Sequence, residues 1–246
     1  MVKNNNKPVI ILIESQLAEN VGTATRAMMN CDLYELRLVN PREDWLSEKA
    51  ISASSGADEI LRNAKHFTSV DEAVADLQFI AATTARKRDM TKTVSTAAQI
   101  SSKIHKLASD DIKVGIIFGP ERTGLHNDHI AMADEIIEIP LNPRHCSLNL
   151  AQAVLLVGYE WYKESIDTPK SQLTMTKTNI ATKESVNHFY ECLESKLDNT
   201  GFLDIGDKRP RMVRNIRNIF NRVSLTEQEV KNLYGVINSL SKPDSW

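Results

Sequence analysis

The segment Pro140–Val154, PLNPRHCSLNLAQAV, places His145, Cys146, Ser147 and Asn149 within five residues. A cysteine beside a histidine has the chemistry of a nucleophile and its base. Adjacent side chains usually point apart, however, and catalytic pairs are assembled from distant segments, so the pair is a poor nucleophilic site. The other standard chemistries find equally little support. His66, His105, His126, His129, His145 and His188 contain no HExxH arrangement. His126 and His129 share a helical face at i, i+3 but lack a third ligand, so no metal is expected. No GxGxxG or GxxxxGK[ST] run follows a strand-like segment; the only glycine pair in a suitable loop is Gly119 and Gly124. Cys31, Cys146 and Cys192 are widely spaced, odd in number and free of any CxxC pattern, as expected for reduced thiols.

The elements that must carry these residues alternate. Short apolar runs at Val9–Ile13, Leu36–Val39, Leu77–Ala82, Val114–Phe118 and Glu135–Ile139 read as strands covered on both faces. Helical spacing is found in Asn20–Asn30, more weakly in Thr96–Leu107, and strongly in Leu148–Lys163. This alternation predicts an α/β fold built on a parallel sheet with right-handed crossovers. In such a sheet the loops at the carboxyl ends of the strands gather the ligand. Four of those loops are rich in polar side chains: ESQLAENVGTATRA, TTARKRDM, GPERTGLHND and PLNPRHCSLN. Their convergence on one edge predicts a site.

After Tyr162 the character changes. Ser165–Glu184 is rich in Thr and Lys and reads as an exposed linker. Val186, Phe189, Leu193 and Leu197 then form one helical stripe with Gly201 as its C-cap, and Arg211–Arg222 and Leu225–Leu240 complete a small helical module. Net charge is −2 over 246 residues, so any sign of a nucleic-acid partner must be local. It is: Gly201–Arg222 holds Lys208, Arg209, Arg211, Arg214, Arg217 and Arg222 against only Asp204 and Asp207. No apolar run approaches the ~20 residues of a membrane helix. The first residues, MVKNNNKPVIILIES, lack the apolar core and cleavage site of a signal peptide, so a cytoplasmic protein is expected.

Together the loops resemble the SPOUT superfamily of RNA methyltransferases, in its SpoU-like 2′-O-ribose branch. Glu19-Asn20-Val21-Gly22-Thr23-Ala24-Thr25-Arg26-Ala27 is similar to the family's N-x-G-x-x-x-R-x segment. Phe118-Gly119-Pro120-Glu121-Arg122-Thr123-Gly124-Leu125 is similar to FG-x-E-x-x-G-L, and Ile139-Pro140 with Ser147-Leu148-Asn149-Leu150-Ala151 to IP…SLN-x-(A/S). Thr83-Thr84-Ala85-Arg86 and the C-terminal FYECLESKLDNTGF…RPRMVRNIRNIFNR resemble the bacterial tRNA (cytidine(32)/uridine(32)-2′-O)-methyltransferases of the TrmJ type. The resemblance implies residues 1–165 as a methyltransferase domain with a C-terminal trefoil knot, 166–184 as a linker and 185–246 as a helical tRNA-recognition extension. It also implies a homodimer.

By the same resemblance the cofactor is S-adenosyl-L-methionine, held by Thr83, Thr84, Ala85, Gly119, Ile139, Ser147, Leu148 and Asn149. Arg26 is implicated in the reaction. A guanidinium is a poor base because its pKa exceeds ~12, so Arg26 reads as a clamp on phosphate and ribose that stabilises a developing alkoxide. Asn20, near a helix N-terminus, is expected to help with the same phosphate. Glu121 is expected to hold the loops through Arg or backbone hydrogen bonds, and Ser147 and Asn149 to cap the last helix of the domain. Arg86, Lys87 and Arg88, with Arg209, Arg211 and Arg214, are the candidate tRNA contacts. Two alternatives stay open: an rRNA methyltransferase of the same fold, and an RNA-binding homologue without activity.

Overall fold

The computed structural model describes residues 7–85, 90–166 and 177–241. The chain divides into two compact units, Met1–Thr168 and Pro169–Trp246. The first is built on seven strands: β1 (Val9–Ile13), β2 (Leu36–Val39), β3 (Lys65–Phe67), β4 (Phe79–Thr83), β5 (Thr93–Thr96), β6 (Val114–Phe118) and β7 (Glu135–Glu138). They form one sheet in the order β3-β2-β1-β6-β4-β7-β5, with every pairing parallel. Ile10, for example, lies between Leu36 on one side and Ile116 on the other.

The continuous apolar runs follow from this burial. Along β1, Ile10 and Leu12 enter one core, while Val9, Ile11 and Ile13 enter a second on the opposite face. The first core is covered by α1 (Ala18–Asn30), α2 (Glu48–Ser54), α3 (Asp58–Arg62), α5 (Ala97–Ser109) and α7 (Leu150–Ser165). The second is covered by α4 (Val70–Val74) and α6 (Asn127–Met132). Gly22 lets α1 press against α2: a Cβ there would lie 2.2 Å from the Ala50 carbonyl oxygen.

Three of the expected strands have the expected bounds. The third begins two residues late, at Phe79, because Leu77 and Gln78 turn in from α4; the last stops at Glu138, one residue short. The two edge strands β3 and β5 are additional. Their residues, KHF and TVST, are short, polar and half or fully exposed, so they carry no apolar run. Polar edges of this kind protect a sheet from pairing with another chain.

In the second unit, α8 (Lys183–Asn199), α9 (Arg209–Asn221) and α10 (Glu227–Leu240) surround a core of Val186, Phe189, Tyr190 and Val230. The Phe189 ring meets Phe220 and Tyr234 edge-on at 5.0 and 5.9 Å. Gly201 has φ +75°, the left-handed conformation its place after α8 requires. The end of the expected linker is fastened: Ala181 N–H donates to the Leu225 carbonyl at 2.8 Å, and Glu227 N–H to that of Asn179 at 2.9 Å. Residues 167–176 of that linker lie outside the described residues.

Candidate active site

In the sheet, β1, β6, β4 and β7 are consecutive neighbours, so the four polar loops leave one edge side by side. Strand order reverses at β1, whose neighbours β2 and β6 continue in opposite directions, and such a switch point is where open parallel sheets bind ligands. A cavity of about 300 Å³ opens beside it, at the carboxyl ends of β6, β4 and β7. Its floor and walls are apolar: Phe118, Ile137, Ile139, Leu148, Leu150 and Ala153.

Each polar loop is held in place by local bonds. After β4, the Thr83 hydroxyl donates to the Ile117 carbonyl at 3.0 Å and Thr84 N–H to that of Ile137 at 3.2 Å. After β6, Gly124 N–H donates to the Pro120 carbonyl at 2.8 Å, closing a tight turn. Gly124 has φ +68°, and a Cβ on Gly119 would lie 2.3 Å from the Leu125 nitrogen, so both glycines are needed for the loop to fold back on itself. After β7, the turn Asn142–His145 is closed by Arg144 N–H to Asn142 Oδ1 at 3.0 Å.

One chain of hydrogen bonds joins three of these loops. Glu121 accepts from Asn20 Nδ2 at 2.7 Å through Oε1 and from Gln16 N–H at 3.1 Å through Oε2. Asn20 Oδ1 in turn accepts from Asn149 Nδ2 at 3.1 Å. The other end of the Asn149 amide caps α7, accepting from Ala151 N–H at 2.9 Å, while Gln152 Oε1 accepts from Asn149 N–H at 3.1 Å. The partner of Glu121 is thus an asparagine, where an arginine or backbone group was anticipated; the backbone bond to Gln16 is present as well.

The sequence-derived residues fall in three places. Thr83, Thr84, Ala85, Gly119 and Ile139 line the cavity, as do Glu121, Ser147 and Leu148. Asn20 and Asn149 stand behind its wall, in the network just described. Asn149 is the cap of α7, whereas Ser147 lies two residues earlier and faces the cavity. Arg26 is outside: it is exposed on α1 and donates from Nη1 to Ser55 Oγ at 3.3 Å. Arg86, Lys87 and Arg88 lie outside the described residues. In the second unit Arg209 is bound to Asp198 at 2.6 Å and Arg217 to Glu194 at 2.6 Å. Arg211 and Arg214 are exposed on α9 and make no ion pair among the described residues.

The start of α1, where Asn20 is expected to help bind phosphate, is bordered by carboxylates. Glu43 accepts from Ala18 N–H at 2.9 Å, and Glu121 engages both Gln16 and Asn20. Two carboxylates thus engage the Ala18 and Gln16 N–H groups and the Asn20 side chain. Glu43, Gln16 and Ser55 were missed because no local pattern ties any of them to the motif residues.

The eye-catching histidines and cysteines are peripheral. Cys146 touches the cavity with an exposed side chain, and His145 is exposed in the turn. Cys31 is buried against Gly158, and burial pushes its thiol up to about 11. His105 stacks on Trp161 at 3.8 Å. His126 and His129 meet edge-on at 5.6 Å, and burial, then the neighbouring His126, lowers the His129 pKa. Among the described residues no group of three or more His, Cys, Asp or Glu side chains is arranged to hold a metal ion.

Residues 7–159 match the SpoU rRNA Methylase family, and residues 184–245 match the C-terminal domain of the tRNA methyltransferase TrmJ. The chain is 32% identical to the tRNA (cytidine/uridine-2′-O-)-methyltransferase TrmJ of Sodalis glossinidius over 241 residues, covering 96% of this chain and 93% of that one. It is similar to the crystal structure of TrmJ from Z. mobilis ZM4, with 42% identity and a TM-score of 0.83 over 96% of this chain and 100% of that one. An AdoMet-bound rRNA methyltransferase from Sinorhizobium meliloti shares the fold at 20% identity, with a TM-score of 0.53 over 66% of this chain and 58% of that one. Cavity, loops and C-terminal helices thus share one ancestry: the chain belongs to the SpoU methylase family and, within it, to the TrmJ-type tRNA 2′-O-methyltransferases.

Proposed function

We propose that the protein transfers a methyl group from S-adenosyl-L-methionine to the 2′-hydroxyl of cytidine or uridine at position 32 of tRNA, acting as a cytoplasmic homodimer. The observation that carries this reading is the Glu121–Asn20–Asn149 network, which backs a small-molecule cavity that Glu121 itself lines. Its volume falls in the range of cofactor pockets. The donor set fits the group as well. Gly119 and Gly124 let the β6 loop fold tightly beside the cavity, Ile139 and Leu148 offer apolar walls for an adenine, and Thr83, Thr84, Ala85 and Ser147 offer polar groups for its ribose and amino acid. When bound, the cofactor supplies an electrophilic methyl group.

The protein's own residues then have to orient a ribose and stabilise its oxygen. Glu121 fixes Asn20, Asn20 fixes Asn149, and Asn149 fixes the start of α7, so the loops around the cavity are set as one unit before RNA arrives. Arg26 lies six residues beyond Asn20, about 9 Å along the helix axis, on an exposed face where an RNA strand has access. Its role in this reading is to hold the ribose-phosphate and stabilise the developing alkoxide. Arg211 and Arg214, unpaired on α9, are the proposed tRNA contacts of the second unit. Arg209 is less available because its carboxylate partner must first be displaced. The trefoil knot belongs to the same proposal.

The test is to incubate the protein with labelled S-adenosyl-L-methionine and either total tRNA or rRNA, and to map the methylated riboses. Label at position 32 of tRNA is expected. Label confined to rRNA overturns the tRNA assignment, and no label in either overturns the enzyme. Light scattering on the same sample measures the dimer, and a monomeric mass overturns that part.

A further inference from the structure

A second cavity, of about 420 Å³, opens at the carboxyl ends of β1 and β2 and shares with the first the wall made by Pro120 and Thr123. Its character is different. Where the first is apolar, this one is ringed by Glu14, Gln16, Asn40, Arg42 and His126. The Asn40 amide is engaged with the Thr68 carbonyl at 2.8 Å. The Gln16 side-chain amide and the Arg42 guanidinium have no hydrogen-bond or ion-pair partner among the described residues. A neutral amide and a cation therefore stand free beside the cavity in which the reaction is proposed.

The backbone here is strained. Glu14 and Asn40 have φ of 48° and 45°, a region disfavoured for a glutamate, and are held there by N–H bonds to Val39 and Phe67 at 2.8 and 3.2 Å. Strain of this kind persists where the surrounding structure imposes it, commonly at ligand sites. The two buried side-chain polar atoms lacking a partner among the described residues belong to neighbours of its lining residues: Ser15 Oγ, between Glu14 and Gln16 in the chain, and His129 Nδ1, whose ring meets that of His126. Such atoms are rare in folded proteins. Finally, the two cavities are coupled. The carboxylate that holds Asn20 at the first also accepts the backbone N–H of Gln16 at the second.

We propose that the second cavity takes the base and phosphate of the nucleotide being methylated, with Gln16 reading the pyrimidine edge and Arg42 holding the phosphate. This rests on the methyltransferase reading above. A ribose brought to the mouth of the first cavity leaves its base and its phosphate outside it, and the adjoining polar cavity offers a partner for each. The Gln16 amide has a donor and an acceptor and can turn over, so it pairs with cytosine or with uracil. Arg42 presents a forked donor set suited to a phosphate.

The experiment uses the full chain, with tRNA transcripts carrying C or U at the methylated position. Kinetics are measured alongside binding of S-adenosyl-L-methionine by calorimetry. Arg42→Ala is expected to raise the KM for RNA about ten-fold at nearly constant kcat and to reduce the salt dependence of binding by about one counterion. Arg42→Lys is expected to restore the salt dependence. Gln16→Ala is expected to lower kcat/KM about five-fold or more on the C and the U transcript alike, the scale of one base-edge contact. Cofactor affinity is expected to be unchanged in all three. An active wild type whose Arg42→Ala variant keeps the RNA KM and whose Gln16→Ala variant keeps kcat/KM on both transcripts overturns the inference and leaves the enzyme reading intact. Loss of cofactor affinity in Gln16→Ala or Arg42→Ala also overturns it, by assigning the pocket to the cofactor. A wild type inactive on every RNA removes the reading on which it rests.

Discussion

Asn149 shows how one side chain serves stability and the site through different atoms. Its Oδ1 caps α7, and its Nδ2 orients Asn20. Asn149→Ala removes both and is expected to cost about 1 kcal/mol in denaturant unfolding, the usual worth of an N-cap. Asn149→Asp keeps the cap but sets a carboxylate oxygen against Asn20 Oδ1. Stability within about 0.5 kcal/mol of wild type, with methyl transfer reduced on the order of 10²-fold, is the expected result. Wild-type methyl transfer in Asn149→Asp would make Asn149 a cap alone. The cysteines differ just as sharply. Cys31, buried and with its thiol pushed up to about 11, stays neutral at pH 8, whereas Cys146 is exposed. Alkylation of the native protein followed by mass spectrometry is expected to modify Cys146 and leave Cys31 intact until unfolding. Cys146→Ser is expected to leave transfer largely intact, since nothing in the network touches it.

At the scale of the element, the outer part of the sheet depends on a charge cluster. Arg37 on β2 is buried at 3% exposure and donates to the Ala73 carbonyl at 2.7 Å, as well as pairing with Glu35 at 2.8 Å and Asp76 at 2.5 Å. The Arg37 hydrogen bond holds the Asp76 carboxyl at about 2, below its ordinary 3.8. The folded protein thus binds this proton less tightly than the unfolded chain. The resulting stabilisation is complete above 3.8 and is lost as the pH falls toward 2. Asp76→Asn is expected to destabilise by about 1–2 kcal/mol at pH 7, less than a fully buried pair because Asp76 is half exposed and Glu35 remains. Thermal melts should show the gap between wild type and variant closing over that acid range; a gap independent of pH would mean that packing, not charge, is lost. The same cluster marks where elements stop being legible. Runs such as VIILI and VGIIF announce themselves because both faces are buried. The edge strands and the helices of five to seven residues do not, because they are too short for a period to register.

For the whole molecule, two units of different chemistry share one chain. The first carries the cavity; the second offers a helix on which Arg211 and Arg214 are exposed and make no ion pair among the described residues. Arg211→Ala with Arg214→Ala is expected to weaken tRNA binding and to lower the slope of log affinity against log salt by about 1.5, as expected for two lost phosphate contacts. Cofactor affinity should be unchanged, and an unaltered salt slope would remove α9 from the RNA interface. Arg209→Ala should have a smaller effect on RNA, because its guanidinium is already bound to Asp198.

Much of this was written in the order of residues alone. Burial on both faces forces continuous apolar runs, and helical burial forces a 3.6-residue period, so the main strands and long helices could be read directly. The motif residues Asn20, Glu121, Ser147 and Asn149 were legible through their resemblance to a family. Folding decided what those residues touch. Glu121 and Asn20 are 101 positions apart, and Asn149 and Asn20 are 129 apart, yet each pair is in hydrogen-bond contact. No local pattern encodes a contact across such distances, because it is set by strand order, and strand order is decided by how the sheet packs. The same cause placed Arg26 outside the cavity, turned the α1 N-terminus over to carboxylates and brought Gln16 and Arg42 to one polar pocket.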